Sequence, residues 1–431
     1  MARRIVRKWD EKRTSRLGQA ELFVERGKGG ENYYCAWLQE PEIDECPLCG
    51  GDVIKVQDLF SKSYRELLVS ENSESVITLE YDFYKFRCLN ENCRHIFAKE
   101  ITFASKYDNV TYRLENYIAE LVMEGFPYGE ISSRFQNSIS RQAVGQIFNR
   151  WVRKKEDTRT IQHFSACIAL LSGKTDRDYY TIILNLDDGI RILDILYGVN
   201  SSDLVAVIGR ISPHSVQTVL SDFNPIISDV IKDNLSDATY IVPVDYWFKL
   251  VTDDFSEYAH EILKWSTVYD KDSLILKSKA ELGYRISDQK RLLESRPKIV
   301  PSYNKYNELR NIISRRDETW VYDELTDWAS DLEPDFKEQL STTLFQLQIY
   351  KSELEAHVQH RELVPDRLYS LTSRLEELIS SMRTFSDEVL KARVLYSTNT
   401  DLHDWRGVPI EEAIAALEKM RRNGEDYYEY D

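Results

Sequence analysis

Four of the six cysteines form two close pairs, and this spacing is the clearest sign of chemistry in the chain. Cys46 and Cys49 are separated by Pro-Leu, and Cys88 and Cys93 by Leu-Asn-Glu-Asn. Two close pairs of thiolates supply the four soft ligands that a tetrahedral zinc ion requires. The stretch 75–86 between the pairs is rich in β-branched and aromatic residues, which indicates a strand. The sequence therefore predicts a structural zinc ion, held by these four cysteines in a zinc ribbon.

Other interpretations of the cysteines stay open. Disulfides would suit a secreted protein, but the basic N-terminus lacks the apolar stretch of a signal peptide, so we expect reduced thiols inside the cell. Four unrelated buried cysteines are a second alternative, and His95 as a ligand in place of Cys93 is a third. Cys35 and Cys167 have no close partner and are interpreted as ordinary apolar positions.

The stretch after the cysteines has the pattern of a helix-turn-helix. Apolar residues recur at helical spacing from Leu114 to Val122, and Gly125-Phe126-Pro127 ends that helix. A short helix is predicted over 128–135, followed by a turn at 136–138 and a longer helix capped by Ser140.

The last of these helices carries polar side chains that suit DNA recognition. Its apolar stripe runs through Val144, Ile147, Phe148 and Trp151, which leaves the other face open. The candidates for reading base edges are Arg141, Gln142, Gln146 and Asn149. The candidates for phosphate contacts are Arg150, Arg153 and Lys154. The alternative is a helical hairpin with a solvated polar face.

Charge is distributed unevenly along the chain. The protein has 56 Lys and Arg against 72 Asp and Glu, and its net charge of −16 lies entirely in residues 160–431. An acidic total argues against indiscriminate nucleic-acid binding, but the front part has local basic clusters at 3–16 and 150–155. The acidic back part is interpreted as a surface for a homodimer or a protein partner. No apolar run approaches a membrane span, so no membrane partner is expected.

From residue 164 onward the pattern changes to strands. Three β-rich segments precede a strand, a helix and a further strand, an order typical of the ribonuclease-H-like fold. The predicted segments are 164–171, 179–186, 191–197, 215–220, 225–235 and 238–244. Asp222 and Asp245 follow two of these strands, where carboxylates could hold divalent metal ions for phosphodiester chemistry. Ordinary capping of strand ends is the alternative.

The sequence thus predicts an α+β protein of several domains. These are a zinc-ribbon domain with a basic N-terminal arm (1–105), a helix-turn-helix domain (106–158), a ribonuclease-H-like core (160–250), a helical insertion with closing helices (251–400), and a C-terminal helix with an acidic tail (401–431).

This order resembles a group of bacterial insertion-sequence transposases with a DDE catalytic domain. The matching pieces are Cys46-Pro-Leu-Cys49-Gly50, 86–97, 114–151, Tyr179-Tyr180-Thr181-Ile182-Ile183, Ser221-Asp222, Asp245-Tyr246-Trp247-Phe248 and 383–393. The resemblance implies binding of double-stranded DNA, a cytoplasmic, nucleoid-associated location in a bacterium, and catalysis with two Mg²⁺ ions if the core is active. It assigns Asp222 as the second catalytic aspartate and Asp366 as a stand-in for the third acid.

The chain departs from that family at its catalytic positions. The first core strand reads Cys167-Ile168-Ala169-Leu170-Leu171, with no carboxylate where the family has its first aspartate. Asp187 and Asp188 lie in a turn, away from the place required. The favoured interpretation is a domesticated, transposase-like protein that binds a specific DNA site through the zinc ribbon and the helix-turn-helix and has an inactive core. An active, diverged DDE transposase and a zinc-stabilised protein-interaction scaffold are the alternatives.

Overall fold

The computed structural model describes residues 4–8, 20–26, 32–38, 43, 45–51, 54–70, 73–98, 101–105, 108–159, 165–174, 179–198, 200–210, 215–263, 271–314, 322–382, 386–397, 402–403 and 405–425. Most of the basic N-terminal arm, residues 383–385 of the expected closing helix and the acidic tail after Glu425 lie outside these ranges. The chain divides into two compact units. Met1–Asp157 with Lys419–Asp431 form the first unit, and Thr158–Glu418 forms the second.

The first unit contains a six-stranded sheet in the order β1-β2-β3-β5-β4, with β6 paired to β5. Its strands are β1 Arg4–Lys8, β2 Ala20–Arg26, β3 Asn32–Leu38, β4 Ile54–Ser70, β5 Ser73–Cys88 and β6 Ile96–Ala98. The predicted strand 75–86 is confirmed and lies within β5. Its antiparallel partner β4 was not predicted, because a register shift between Val56 and Asp58 interrupts the alternation of apolar residues.

One face of the β4–β5 hairpin carries part of the core of the first unit. Tyr64 and Leu79 are paired across the hairpin and are buried. The Phe103 ring packs edge to face on Tyr64 and Tyr81, with ring centroids 5.3 and 5.2 Å apart. The N–H of Tyr112 donates to the carbonyl of Phe103 at 2.9 Å. This face of the sheet therefore supports the start of the helices that follow.

Three helices complete the first unit: α1 Tyr112–Met123, α2 Tyr128–Arg134 and α3 Arg141–Thr158. The Thr111 hydroxyl caps α1 by accepting from the N–H of Leu114 at 3.3 Å. Gly125 follows the end of α1 with φ of +102°, a conformation that glycine adopts without steric cost. The predicted break at Gly125-Phe126-Pro127 is confirmed.

The second unit contains a sheet in the order β11-β10-β7-β8-β9-β12. Its strands are β7 Cys167–Lys174, β8 Tyr179–Asn185, β9 Arg191–Tyr197, β10 Thr218–Ser221, β11 Thr239–Ile241 and β12 Val408–Pro409. Strands β7, β8 and β9 are antiparallel neighbours, whereas β10 runs parallel to both β7 and β11. The central strands read as nearly continuous apolar runs because both of their faces are covered.

Helices form the rest of the second unit, and residues from Phe223 to Leu354 build a core made mostly of helix residues. The helices are α4 Ser201–Arg210, α5 Pro225–Asn234, α6 Val244–Leu263, α7 Lys271–Leu276, α8 Lys279–Leu282, α9 Ile286–Ser295, α10 Val300–Ser314, α11 Tyr322–Ser330, α12 Pro334–Gln339, α13 Ser341–Ile349, α14 Lys351–Gln359, α15 Leu368–Ser381, α16 Asp387–Tyr396 and α17 Ile410–Glu425, whose residues belong to both units. The indole of Trp247 is fully buried and donates to the carbonyl of Thr343 at 3.0 Å, which ties α6 to α13.

Several predicted elements differ from the structure. Helix α4 was missed, and β11 ends at Ile241, so Asp245 lies in the first turn of α6 rather than at a strand end. Within the expected helical insertion, the stretch 334–359 is three helices, separated at Leu340 and Tyr350. Both of these side chains are buried. Apolar spacing is the same in a continuous and a broken helix, so the sequence pattern does not reveal the turns.

Candidate metal centre and nucleic-acid interface

The register of the hairpin brings the two cysteine pairs together. Ile54 at the start of β4 pairs with Cys88 at the end of β5, so the chain before β4 lies beside the chain after β5. The Sγ atoms of Cys46 and Cys93 are 3.9 Å apart, and those of Cys49 and Cys88 are 3.6 Å apart. All four sulfur atoms lie within 4.8 Å of one another. The predicted ligand set therefore converges at one point.

The spacing of the sulfur atoms fits a single metal ion. Zn–S bonds of about 2.3 Å in a tetrahedron place sulfur atoms about 3.8 Å apart, which agrees with the distance within each of the two sulfur pairs. His95 is not one of the four converging residues; its ring stacks on Phe97 with centroids 5.8 Å apart. The four cysteines can therefore hold a metal ion, and thiolates favour soft ions such as Zn²⁺.

The two turns that carry the cysteines have the same backbone geometry. In each, the residue after the second cysteine has positive φ: Gly50 at +65° and Arg94 at +47°. The Gly50 N–H donates to the Cys46 carbonyl at 2.8 Å, and the Arg94 N–H to the Asn90 carbonyl at 2.9 Å. The first turn was evident from its glycine. The second was not, because arginine rarely adopts this conformation.

The protonation of the thiols depends on their surroundings. Burial raises the pKa of the Cys46 thiol, but the N–H groups of Cys49 and Leu48 outweigh it and bring the pKa to about 7. Burial raises the pKa of the Cys88 thiol to about 12. A bound metal ion would deprotonate both thiols, since a coordinating sulfur is a thiolate.

Helices α2 and α3 are joined by a turn that the chain fixes with its own hydrogen bonds. Gln136 and Asn137 have φ of +52° and +58°, and the Ser132 hydroxyl donates to the Ile139 carbonyl at 2.7 Å. The Ser140 hydroxyl accepts from the Ala143 N–H at 3.2 Å, so the predicted cap of α3 is confirmed. These bonds set the angle between the two helices.

Helix α3 presents a narrow row of polar side chains to solvent. Gln142, Gln146, Asn149 and Arg153 are all exposed, and at 3.6 residues per turn they fall within about 60° of one another around the helix. Arg141 is exposed at the start of the helix. The opposite side carries the buried residues Val144, Ile147, Phe148 and Val152. We call Gln142, Gln146, Asn149 and Arg153 the amide row.

Arg150 and Lys154 lie beside the amide row and have acidic partners within the first unit. The Arg150 guanidinium contacts Asp108 at 2.8 Å and Glu115 at 2.9 Å. Lys154 Nζ lies 2.7 Å from Glu115 and 3.6 Å from Asp108. Their charges are therefore compensated inside the protein, and they hold α3 against α1. No local sequence pattern signals these pairs, because the partners are 35 or more positions away.

Asp222 is held by hydrogen bonds from its own chain. Its carboxylate accepts from the Ser172 N–H at 2.6 Å, the Ser172 hydroxyl at 2.5 Å and the Asn224 N–H at 3.1 Å. Burial raises the pKa of Asp222 above its usual range. These bonds tie the end of β7 to the end of β10.

The other candidate carboxylates do not join Asp222 in a metal-binding group. Asp366 is exposed in the turn before α15. Asp187 accepts from the N–H groups of Ala166 and Cys167 at 2.7 and 2.8 Å and so caps the start of β7. In the described part of the chain, the four cysteines are the one group of three or more metal-binding side chains close enough to share an ion.

A buried ion cluster that the sequence did not indicate lies in the second unit. The Arg159 guanidinium contacts Asp194 at 2.8 Å, and Lys391 Nζ contacts the same carboxylate at 2.9 Å. Burial raises the pKa of Asp194, but the two cations outweigh it and hold the pKa below its usual range. This cluster compensates its own charges and is interpreted as structural.

Comparison with protein-family models gives no match for this chain, and no curated protein matches it. Among the described helices, none has both the length and the apolar character needed to cross a bilayer.

Proposed function

We propose that the first unit is a zinc-dependent DNA-binding module, and that the second unit is a ribonuclease-H-like scaffold that does not cut DNA. The observation that carries the proposal is the amide row on α3. Four exposed polar side chains lie on one narrow strip of a helix, and the buried side of that helix fixes its orientation. The turn between α2 and α3 makes the pair a helix-turn-helix, with α3 as the recognition helix.

The side chains of the amide row match the edges of bases in the major groove. Glutamine and asparagine donate to and accept from adenine in a bidentate manner, and arginine pairs with guanine or phosphate. Gln142 and Asn149 are seven residues apart, which is about 10 Å along the helix. That length corresponds to about three base pairs at ~3.4 Å each. The row therefore favours a short, adenine-containing site.

Zinc is the metal that best suits the cysteine cluster. The cluster offers four sulfur ligands and no open position, an arrangement typical of structural rather than catalytic zinc. The cluster fastens the base of the β4–β5 hairpin. Since the middle of that hairpin packs against Phe103, which is joined to the start of α1, zinc would stabilise the sheet that supports the three helices.

Two features support a core without nuclease activity. Three antiparallel strands followed by two parallel ones agree with the ribonuclease-H-like order, and so with a transposase ancestry. However, the strand position facing Asp222 is Ser172, whose hydroxyl and N–H both donate to that carboxylate. Two-metal catalysis requires carboxylates that converge on two ions. With Ser172 at this position the site has one carboxylate fewer. The two hydrogen bonds that Ser172 donates also occupy an oxygen of Asp222 that a metal ion would need.

Selection of binding sites from random duplexes with the full chain tests the DNA proposal. We expect a short site with adenines at fixed positions. Gln142→Ala or Gln146→Ala should lower discrimination at one base position by about 1–3 kcal/mol. Gln348→Ala, at an exposed glutamine of α13 in the second unit, is the matched control and should change nothing. If no duplex is enriched, a protein-interaction scaffold becomes the better account.

Cleavage and strand-transfer assays on the selected DNA test the second half of the proposal. With Mg²⁺ or Mn²⁺, we expect no product from the natural protein or from Asp222→Ala. Product from the natural protein that disappears in Asp222→Ala would establish an active transposase instead. Product that persists in Asp222→Ala would indicate a contaminating nuclease, and the assay would then be repeated after further purification.

A further inference from the structure

We infer that Lys55, Lys85 and Arg87 on the zinc-bearing hairpin form a second DNA contact, made to the phosphate backbone. This inference rests on the proposed DNA binding by α3 and adds a surface that does not read bases. We call these three residues the hairpin cations.

Strand register places the hairpin cations on one face of the sheet. Lys55 of β4 pairs with Arg87 of β5, which in turn pairs with Ile96 of β6. In the next row, Lys85 pairs with Asp58 on one side. Directly paired residues in antiparallel strands project from the same face, and residues two apart on one strand do so as well. Two adjacent rows thus carry three cations and one carboxylate.

None of the hairpin cations forms an ion pair in the part of the chain that the structure describes, although Asp58 lies opposite Lys85 in the register of the hairpin. Lys55 and Arg87 are exposed, and neither forms an ion pair there. Lys85 Nζ lies 4.7 Å from the centroid of the Phe60 ring, which is a cation–π contact. Like charges directly opposite one another destabilise a pair of strands. Lys55 opposite Arg87 therefore costs stability unless an anion from outside the fold lies between them.

The same face of β5 leads from these cations to the helical part of the unit. Tyr81 and Leu79 are separated from Arg87 by even numbers of residues, so they share its face, and both are buried. Tyr81 contacts Phe103, which is joined to the start of α1. From Tyr81 to Arg87 the strand extends about 20 Å. The cations therefore project on the side of the sheet where the helices begin.

Duplex DNA is the anion that fits this arrangement. It carries one negative charge per about 1.7 Å of its axis, so a duplex that extends beyond the α3 site presents phosphates to a second group of cations. Phosphate oxygens accept from lysine and arginine in the same way at every base sequence. The contact should therefore add affinity that depends on salt and not on sequence.

The test is a double variant of the full chain, Lys55→Gln with Arg87→Gln. Its matched control is Lys290→Gln with Lys298→Gln, which removes two exposed cations from the second unit. Affinity for the selected duplex is measured over a series of salt concentrations. The hairpin variant should bind about 10-fold to 100-fold more weakly at low salt, and its salt slope should fall by about 1.8. The order of preferred sequences should stay the same.

Three outcomes separate this inference from the proposal on which it rests. If the hairpin variant matches the control while Gln142→Ala still loses discrimination, the hairpin contact is wrong and α3 binding stands. If the hairpin variant changes sequence preference, the cations read bases and the phosphate assignment is wrong. If the natural protein binds no duplex, both fail. If the double variant loses its metal or its fold, Lys55→Gln alone replaces it in the test. The salt slope of its affinity should then fall by about 0.9.

Discussion

Strand register brings together both the four cysteines and the groups around Asp222. The two sites differ in whether the protein itself supplies hydrogen bonds to them. Four sulfur atoms converge at the base of the hairpin, where each lies near other sulfurs. Asp222 instead receives three hydrogen bonds from Ser172 and Asn224. The cysteines therefore offer a complete ligand set to an ion from outside, whereas the carboxylate accepts its hydrogen bonds within the fold. The cysteine cluster is arranged to bind an ion, and the Asp222 carboxylate is already occupied by hydrogen bonds.

The same contrast extends to the charged groups around each site. In the second unit, Asp194 is compensated by Arg159 and Lys391, and His357 accepts from the Val244 N–H at 3.2 Å. In the first unit, the amide row, Lys55 and Arg87 are exposed. These groups of the first unit remain open to a partner, whereas the groups named in the second unit are satisfied by its own chain.

Removing a metal ligand should break the comparison most strongly. Cys46→Ser or Cys88→Ser should abolish metal binding and unfold the first unit, because structural zinc contributes ~10 kcal/mol or more to folding. Metal analysis and circular dichroism under reducing conditions measure this. Cys167→Ser, at a cysteine of β7 outside the cluster, is the control and should retain one zinc per chain. A natural protein that folds without zinc would contradict the assignment.

A change of pH tests the internal partners of the second unit. Burial lowers the pKa of His357 to about 4, so the imidazole stays neutral in the fold while the unfolded chain takes up a proton near pH 6.5. The contribution of neutral His357 to the free energy of unfolding is complete above pH 6.5. It is lost as the pH falls to 4, a total of about 3 kcal/mol. His357→Gln keeps an acceptor for Val244 and removes the titration.

The difference in unfolding free energy between the natural protein and His357→Gln isolates this group. That difference should shift in favour of the variant by about 3 kcal/mol between pH 6.5 and 4. Asp222 acts in the opposite direction, since its raised pKa makes the folded chain bind a proton more readily as pH falls. It cancels in the difference because both proteins contain it. A constant difference over this range would show that His357 is not buried in neutral form.

Two arginines on one helix give the smallest and most closely matched test. Arg150→Ala leaves the nearly buried Glu115 with one fewer partner and should destabilise the first unit by about 1–3 kcal/mol. Arg153 precedes Lys154 in the chain and is exposed. Arg153→Ala should therefore change the free energy of unfolding by less than about 0.5 kcal/mol but weaken DNA binding. Urea unfolding and duplex titration measure the two effects. Equal stability losses would contradict the separation of roles.

Local patterns predicted the parts of the structure that depend on local chemistry. The cysteine pairs, the Ser140 cap and the break at Gly125 could be identified because each is set by a few neighbouring residues. The breaks at Leu340 and Tyr350 could not, since both residues fit the apolar periodicity of one long helix. The position of Asp245 was misjudged for a similar reason: a short apolar run suits a strand or the first turn of a helix.

The sequence by itself determined which side chains were available: four thiols in two pairs, an amide-rich helix face and no carboxylate in the first core strand. Tertiary structure alone decided which of them have partners. It paired Arg150 with Glu115, left Arg153 exposed, and placed Ser172 against Asp222. These partners lie 35 and 50 positions apart, and only the packing of helices and the register of strands brings such distant residues within hydrogen-bond distance.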